Sequence, residues 1–335
     1  MRVALALAMS FAMLAGAPPP ADDMDPGVRA VLTKYLRFSN DDLAELQRGK
    51  IAKHSVDASS AGEMAVAGAA RVRGSKDTFL DLARDIVRFK RSPDVLAVGR
   101  FSRPPTLQDL APLTIDSDDF SPRTCRPHDC DVRLPASVIE RVPRERDPVA
   151  FFKQVILDNV VAYEKGDAQG RLLQYDDGDR PIRPVDEFND LLRTAPALGA
   201  LVPALPDHFR NYPADVIAGD EDFLYWSKEK FGIAPFITVT HVTIVCPSPR
   251  TCVMATRDVY SSRYIDASLS LSIATDAASQ PEGYYLVFAN RSRANALKGG
   301  FAALRRSLAA RRARASLEEN LKQVRARLES GLASR

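Results

Sequence analysis

The sequence predicts an α+β fold: an antiparallel sheet packed on a long C-terminal helix, with a helical insertion in the middle of the chain. Three observations predict it. Runs rich in β-branched and aromatic residues lie at 236–246, 252–274 and 283–290, as expected of strands. From Ala294 to about Leu332 the apolar residues step by three and four, which is helical spacing. Between about 145 and 232 the strongest patterns are helical, punctuated by Gly and Pro.

The elements follow in chain order. Asp25-Pro26 reads as an N-cap with Pro at the first helical position, and Val28, Val31, Leu32, Tyr35 and Leu36 give that helix an apolar face. Ser39 caps a second helix that Gly49 ends. Residues 50–57 and 63–72 read as strands, the second with Met64, Val66 and Val72 on one face. Ser75 opens a helix to about Phe89, with Phe79, Leu82, Ala83 and Ile86 sharing a face. Residues 95–101 read as a strand. Five prolines between 102 and 127 make a loop, and 131–134 reads as a short strand.

Asp147-Pro148 repeats the cap signature and opens a strong helix whose buried face is Phe152, Val155, Ile156, Val160 and Tyr163. Residues 186–195 give a shorter helix, 196–222 reads as loop, and 221–231 as one or two helical turns. Ser268 to Ile273 alternates strictly, serines on one face and Leu269, Leu271 and Ile273 on the other. Ser292 is a plausible cap for the last helix. In that helix Leu297, Phe301, Leu304 and Leu308 form a stripe suited to the sheet, and Leu317, Leu321, Val324 and Leu328 repeat the steps.

The start of the chain and its cysteines bear on compartment. Arg2, an apolar run from Val3 to Leu14 and the small residues Ala15 to Ala17 stand in the order of a secretory signal. The run falls short of the ~20 residues that span a bilayer. The expected layout is a signal peptide at 1–21, N-terminal helices at 22–49 and a single domain at 50–335, exported to the periplasm or beyond. Cys125, Cys130, Cys246 and Cys252 form two local pairs, which for an exported chain points to two disulfides. The rival reading is a zinc site with His128 beside the first pair.

A hydrophobic share of 45% and a charged share of 27% suit a folded globular chain rather than a disordered one. The net charge of +3 conceals an asymmetry: residues 291–314 carry eight basic side chains and no acid, so the remainder is net acidic. Such a segment can meet an anionic membrane surface, with Arg305, Arg306, Arg311 and Arg312 as contacts. Nucleic acid is not an expected partner, since no binding motif accompanies the charge. No cofactor is expected, because the chain lacks a phosphate loop, a dinucleotide fingerprint, G-x-S-x-G and H-E-x-x-H. Asp176-Asp177-Gly178-Asp179 resembles part of a calcium loop but lacks the distal Glu.

The order of strands and helices resembles the helix-grip fold of START-like lipid-transfer domains over residues 50–101 and 233–315. That resemblance is topological and implies a curved sheet, a long C-terminal helix across it and a cavity for a hydrophobic ligand. The stretches YWSKEKFG (225–232) and YYLVFANRSR (284–293) are similar to segments of uncharacterised bacterial secreted proteins, a likeness that implies no activity. The expectation is therefore a binding protein for a hydrophobic small molecule or lipid. Candidate ligand-binding residues are Tyr225, Trp226, His241, Tyr260, Tyr264 and Arg291. Two alternatives stand beside it: an envelope protein docking through its basic helix, and an enzyme using His241 as acid or base.

Overall fold

The computed structural model describes residues 23–58, 60, 62–167, 171–176, 181–230, 234–278, 283–294 and 302–330, the side chains of the last helix from Arg314 onward. The helices are α1 (Pro26–Ala30), continued by a π-helical turn (Val31–Tyr35), α2 (Asn40–Gln47), α3 (Asp77–Arg84), α4 (Ile86–Phe89), α5 (Ala136–Ile139), α6 (Pro148–Lys165), α7 (Pro184–Thr194), α8 (Leu205–Asn211) and α9 (Ala302–Ser330). The strands are β1 (Ala52–Ser55), β2 (Glu63–Arg73), β3 (Val95–Arg100), β4 (Glu221–Glu229), β5 (Phe236–Ser248), β6 (Thr251–Ser261), β7 (Ala267–Asp276) and β8 (Gly283–Arg293).

The caps work as the residues dictate. Asp25 accepts from the Val28 amide, Ser39 and Asp42 form a capping box, and Asp147 accepts from Ala150 before Pro148. Gly166 closes α6 in the left-handed conformation, at φ 68°.

Among the described residues the strands form one eight-stranded antiparallel sheet in the order β1-β2-β8-β7-β6-β5-β4-β3. The meander β4 to β8 fills the middle. The early strands flank it, β1 and β2 at one end and β3 at the other. Cys125–Cys130 and Cys246–Cys252 are both disulfide-bonded, the second across the β5–β6 hairpin end. His128 instead faces Asp176, at 3.2 Å. No described helix is long and apolar enough to cross a membrane.

Both sheet faces are covered. Face one carries Val72, Phe223, Tyr225, Val242, Ile244, Met254, Ala274, Tyr284 and Leu286 against α3, α4 and Leu328 of α9. Further along it, Leu317 and Leu321 of α9 lie on Val66. Gly68 permits this approach: a Cβ there would stand 2.7 Å from Leu321 and 3.1 Å from Leu317. Face two meets α1, α2, α7 and α8 at one end. At the other it meets α6 and the loop 101–142, around Trp226, Val239 and Tyr260.

Several local expectations need correction. Residues 221–229 are strand β4, not helical turns. Its side chains alternate between two covered faces, so almost all are buried and the period of two disappears from the sequence. The helical insertion therefore ends before β4. Residues 131–134 form no strand; Val132 and Leu134 plug the core beneath the loop, and the Arg133 amide donates to Ser262. Within 196–222 a helix, α8, interrupts the expected loop. Ser292 lies inside β8 rather than capping a helix. The contacts described between α9 and the sheet come from its second stripe, Leu317, Leu321 and Leu328. The first stripe, the basic side chains at 305, 306, 311 and 312, Gly299-Gly300 and most of the acidic segment at 176–179 lie outside the described residues.

Candidate functional site

Between α9 and face one lies a cavity of about 220 Å³. Phe79 and Phe89 close one side, Leu286 and Phe288 of β8 form the floor, and Leu317, Leu321 and Val324 of α9 form the roof. These are apolar groups from three separate parts of the chain. The hollow lies beside the line where α9 packs on β2, and α4 and the loop after it wall its other side. The rim is polar and mostly basic: Lys90, Arg91 and Arg327, with Asp94 and Glu229. Arg327 donates to the carbonyls of Arg88, Phe89 and Arg91, fastening the end of α4 to α9. A cation suits that pole of the helix.

Beyond the rim, face one turns polar. Lys90 pairs with Glu229 at 2.6 Å, and Ser227 donates to the same carboxylate at 2.6 Å. Burial opposes the Lys90 charge, but Tyr225 and Glu229 more than offset it and hold its pKa up. Asp258 accepts from Thr240 at 2.9 Å. Burial pushes its carboxyl up to about 7, against that hydrogen bond and the pull of Lys90.

Face two holds a different constellation. Asp222 Oδ1 accepts from His241 Nε2 at 2.8 Å and from Thr243 Oγ1 at 2.6 Å, and lies 3.2 Å from His208 Nε2. Tyr163 donates to His241 Nδ1 at 2.8 Å. His208 Nδ1 donates to the Asp215 carbonyl at 2.6 Å. His208 Nε2 also lies 3.2 Å from Thr243 Oγ1, a hydroxyl that can donate or accept. Burial disfavours the charged form of His208, while the hydrogen bond and charge of Asp222 raise its pKa. Burial also works against the Asp222 charge, but donation from His208, His241 and Thr243 holds its carboxyl far below the usual range. Burial, only partly countered by Asp222, lowers the His241 pKa. His241 is 0% exposed, enclosed by Tyr163, Phe209 and Tyr212. Arg257, its neighbour across the strands, stacks on Phe188 and donates to the Phe209 carbonyl.

The six residues singled out from sequence do not form one site. Tyr225 is on face one, its ring centre 5.9 Å from the Lys90 ammonium, and does not line the cavity. Trp226, His241 and Tyr260 are on face two. Trp226 donates to the Asp109 carbonyl and packs on Gly99, and Tyr260 donates to the Arg133 carbonyl. Tyr264 is 37% exposed and bonds to Ala234. Arg291 pairs with Glu63. Sequence reasoning missed Phe79, Phe89, Phe288 and Leu321 as lining, although their apolar steps were legible. It also missed His208 and Asp222. The run of three acids Asp220-Glu221-Asp222 at a strand start was the available signal, hidden by reading 221–231 as helical turns.

Comparison with protein-family models, with curated proteins and with solved structures finds no match for this chain.

Proposed function

We propose that this protein binds a hydrophobic small molecule, such as part of an acyl chain, between α9 and the sheet, in an oxidising compartment outside the cytoplasm. The cavity of about 220 Å³ carries the reading. Its walls are aliphatic and aromatic, and its mouth is polar, the usual division between affinity and orientation in a small-molecule site. The volume is below the roughly 300–1,000 Å³ of drug-sized sites, so it suits a chain end or a single ring rather than an entire lipid. The mainly basic rim favours a ligand with an anionic head. The packing of α9 on the antiparallel sheet and the two disulfides support this reading, the latter because such bonds persist in oxidising surroundings. A role for His241 as acid or base fits less well, because its surface is fully enclosed.

Titration with a fluorescent fatty acid tests the reading. The wild-type chain should saturate at one probe per chain. Leu321→Trp, which fills the hollow from its roof, should weaken binding by about tenfold or more, roughly 1.4 kcal/mol. Equal affinity in the two proteins would remove the cavity from consideration.

A further inference from the structure

The cluster on face two is built like a ligand set. His208, Asp222 and His241 each offer one ligand atom, and these atoms all lie within 4.8 Å of one another. They come from α8, β4 and β5, so a helix and two paired strands hold them rigidly. A tetrahedral zinc-type ion with ligand bonds of about 2.0–2.2 Å needs donor atoms roughly 3.3 Å apart, and Asp222 Oδ1 is already 2.8 and 3.2 Å from the two imidazole nitrogens.

The remote nitrogens are anchored as metal-binding imidazoles require. His208 Nδ1 donates to the Asp215 carbonyl, and His241 Nδ1 meets the Tyr163 hydroxyl. A hydroxyl can accept as well as donate, so it serves His241 whichever nitrogen carries the proton. Both Nε2 atoms are thereby aimed at one point beside Asp222. Asp220 is a further oxygen donor, its Oδ2 4.0 Å from His208 Nε2. The side chains of Asp220 and Asp222 are each 11% exposed, while those of His208 and His241 are 2% and 0% exposed. The two carboxylates thus form the path by which an ion reaches the imidazoles.

We propose that His208, Asp222 and His241 bind one divalent d-block cation of the zinc type, with Asp220 or water completing a four-coordinate site. Two imidazoles and a carboxylate suit such ions and not calcium or magnesium, which prefer oxygen alone. Tyr163 and the Asp215 carbonyl orient the ligands. The site lies on the opposite sheet face from the cavity, so it does not depend on the hydrophobic-ligand reading.

The test is uptake of Co2+ and Zn2+ by the full chain after chelation and dialysis, measured by elemental analysis and by the visible absorption of bound Co2+. The expected result is one ion per chain, with the intense bands of a tetrahedral site. His208→Gln and His241→Gln should weaken uptake by about 100-fold, and Tyr163→Phe by about tenfold. His54→Gln and His128→Gln should leave it unchanged, since those side chains pair elsewhere with Asp42 and Asp176. If the core variants fail to fold, X-ray absorption on the zinc-loaded wild type decides, and two imidazole ligands are expected. A folded wild type that takes up no stoichiometric ion, or one whose uptake follows His54 or His128, overturns the proposal and leaves the cluster held by protons alone.

Discussion

The two faces of the sheet are built from the same strands and finished differently. Face two is closed by α6, α7, α8 and the N-terminal helices, which insert Phe152, Tyr163, Phe188 and Phe209 between one another. The hollow found there, beside Leu198 and Leu271, is about 30 Å³. Its bonded buried polar groups include the cluster around Asp222 and the Lys228–Asp119 pair. Face one is roofed in part by α9, which meets β2 along a narrow seam and leaves about 220 Å³ over β7 and β8. The lesson concerns the covering elements. Several helices meeting at angles can fill a sheet surface, whereas one helix seated against a glycine covers a stripe and leaves space beside it.

Substitutions can break or sharpen this contrast. The largest effect is expected on the filled face. Trp226→Ala should lower unfolding free energy by about 4 kcal/mol in chemical denaturation, because its cavity cannot collapse. Leu321→Ala, beside existing space, should cost only about 2 kcal/mol; equal losses would erase the contrast. Asp222→Asn should cost about 3 kcal/mol, because it removes the buried carboxylate that His208, His241 and Thr243 share. A loss below that of a surface substitution would show that the cluster is loosely held. Gly68→Val should cost about 2 kcal/mol by overpacking against Leu317 and Leu321. The same change should lift α9 and speed amide exchange in it while leaving α6 protected.

The smallest effect concerns pH. The folded-state pKa of Asp258 is raised to about 7, above its ordinary 3.8. Its contribution to stability is full below about 4 and is lost as pH rises toward 7 and beyond. Asp258→Asn should therefore flatten that fall and add on the order of 1 kcal/mol at pH 8. A variant less stable than wild type at pH 8 would place the Asp258 charge in a favourable pairing instead.

Much of the architecture was legible because helix caps and alternating strands are local signals. Asp147-Pro148, Gly166 and the serine alternation of β7 each mark an element within a few residues. β4 was not legible, because a strand buried on both faces keeps aromatic residues at successive positions and shows no period. Misreading it also concealed the Asp222 cluster, whose members are joined only through the pairing of β4 with β5 and the docking of α8. The sheet-and-helix order led to the expectation of a cavity for a hydrophobic ligand. Its walls could not be named, since Phe79, Phe89, Phe288 and Leu321 meet only through long-range packing.

Methyl-resolved NMR during titration with a medium-chain fatty acid bears most directly on the central claim that the hollow under α9 is a binding site. The account predicts saturable shifts at the methyl groups of Leu286, Leu317, Leu321 and Val324, with Leu224, Ile237 and Val239 on the filled face unmoved. Shifts confined to the filled face, or none at saturating ligand, would contradict it.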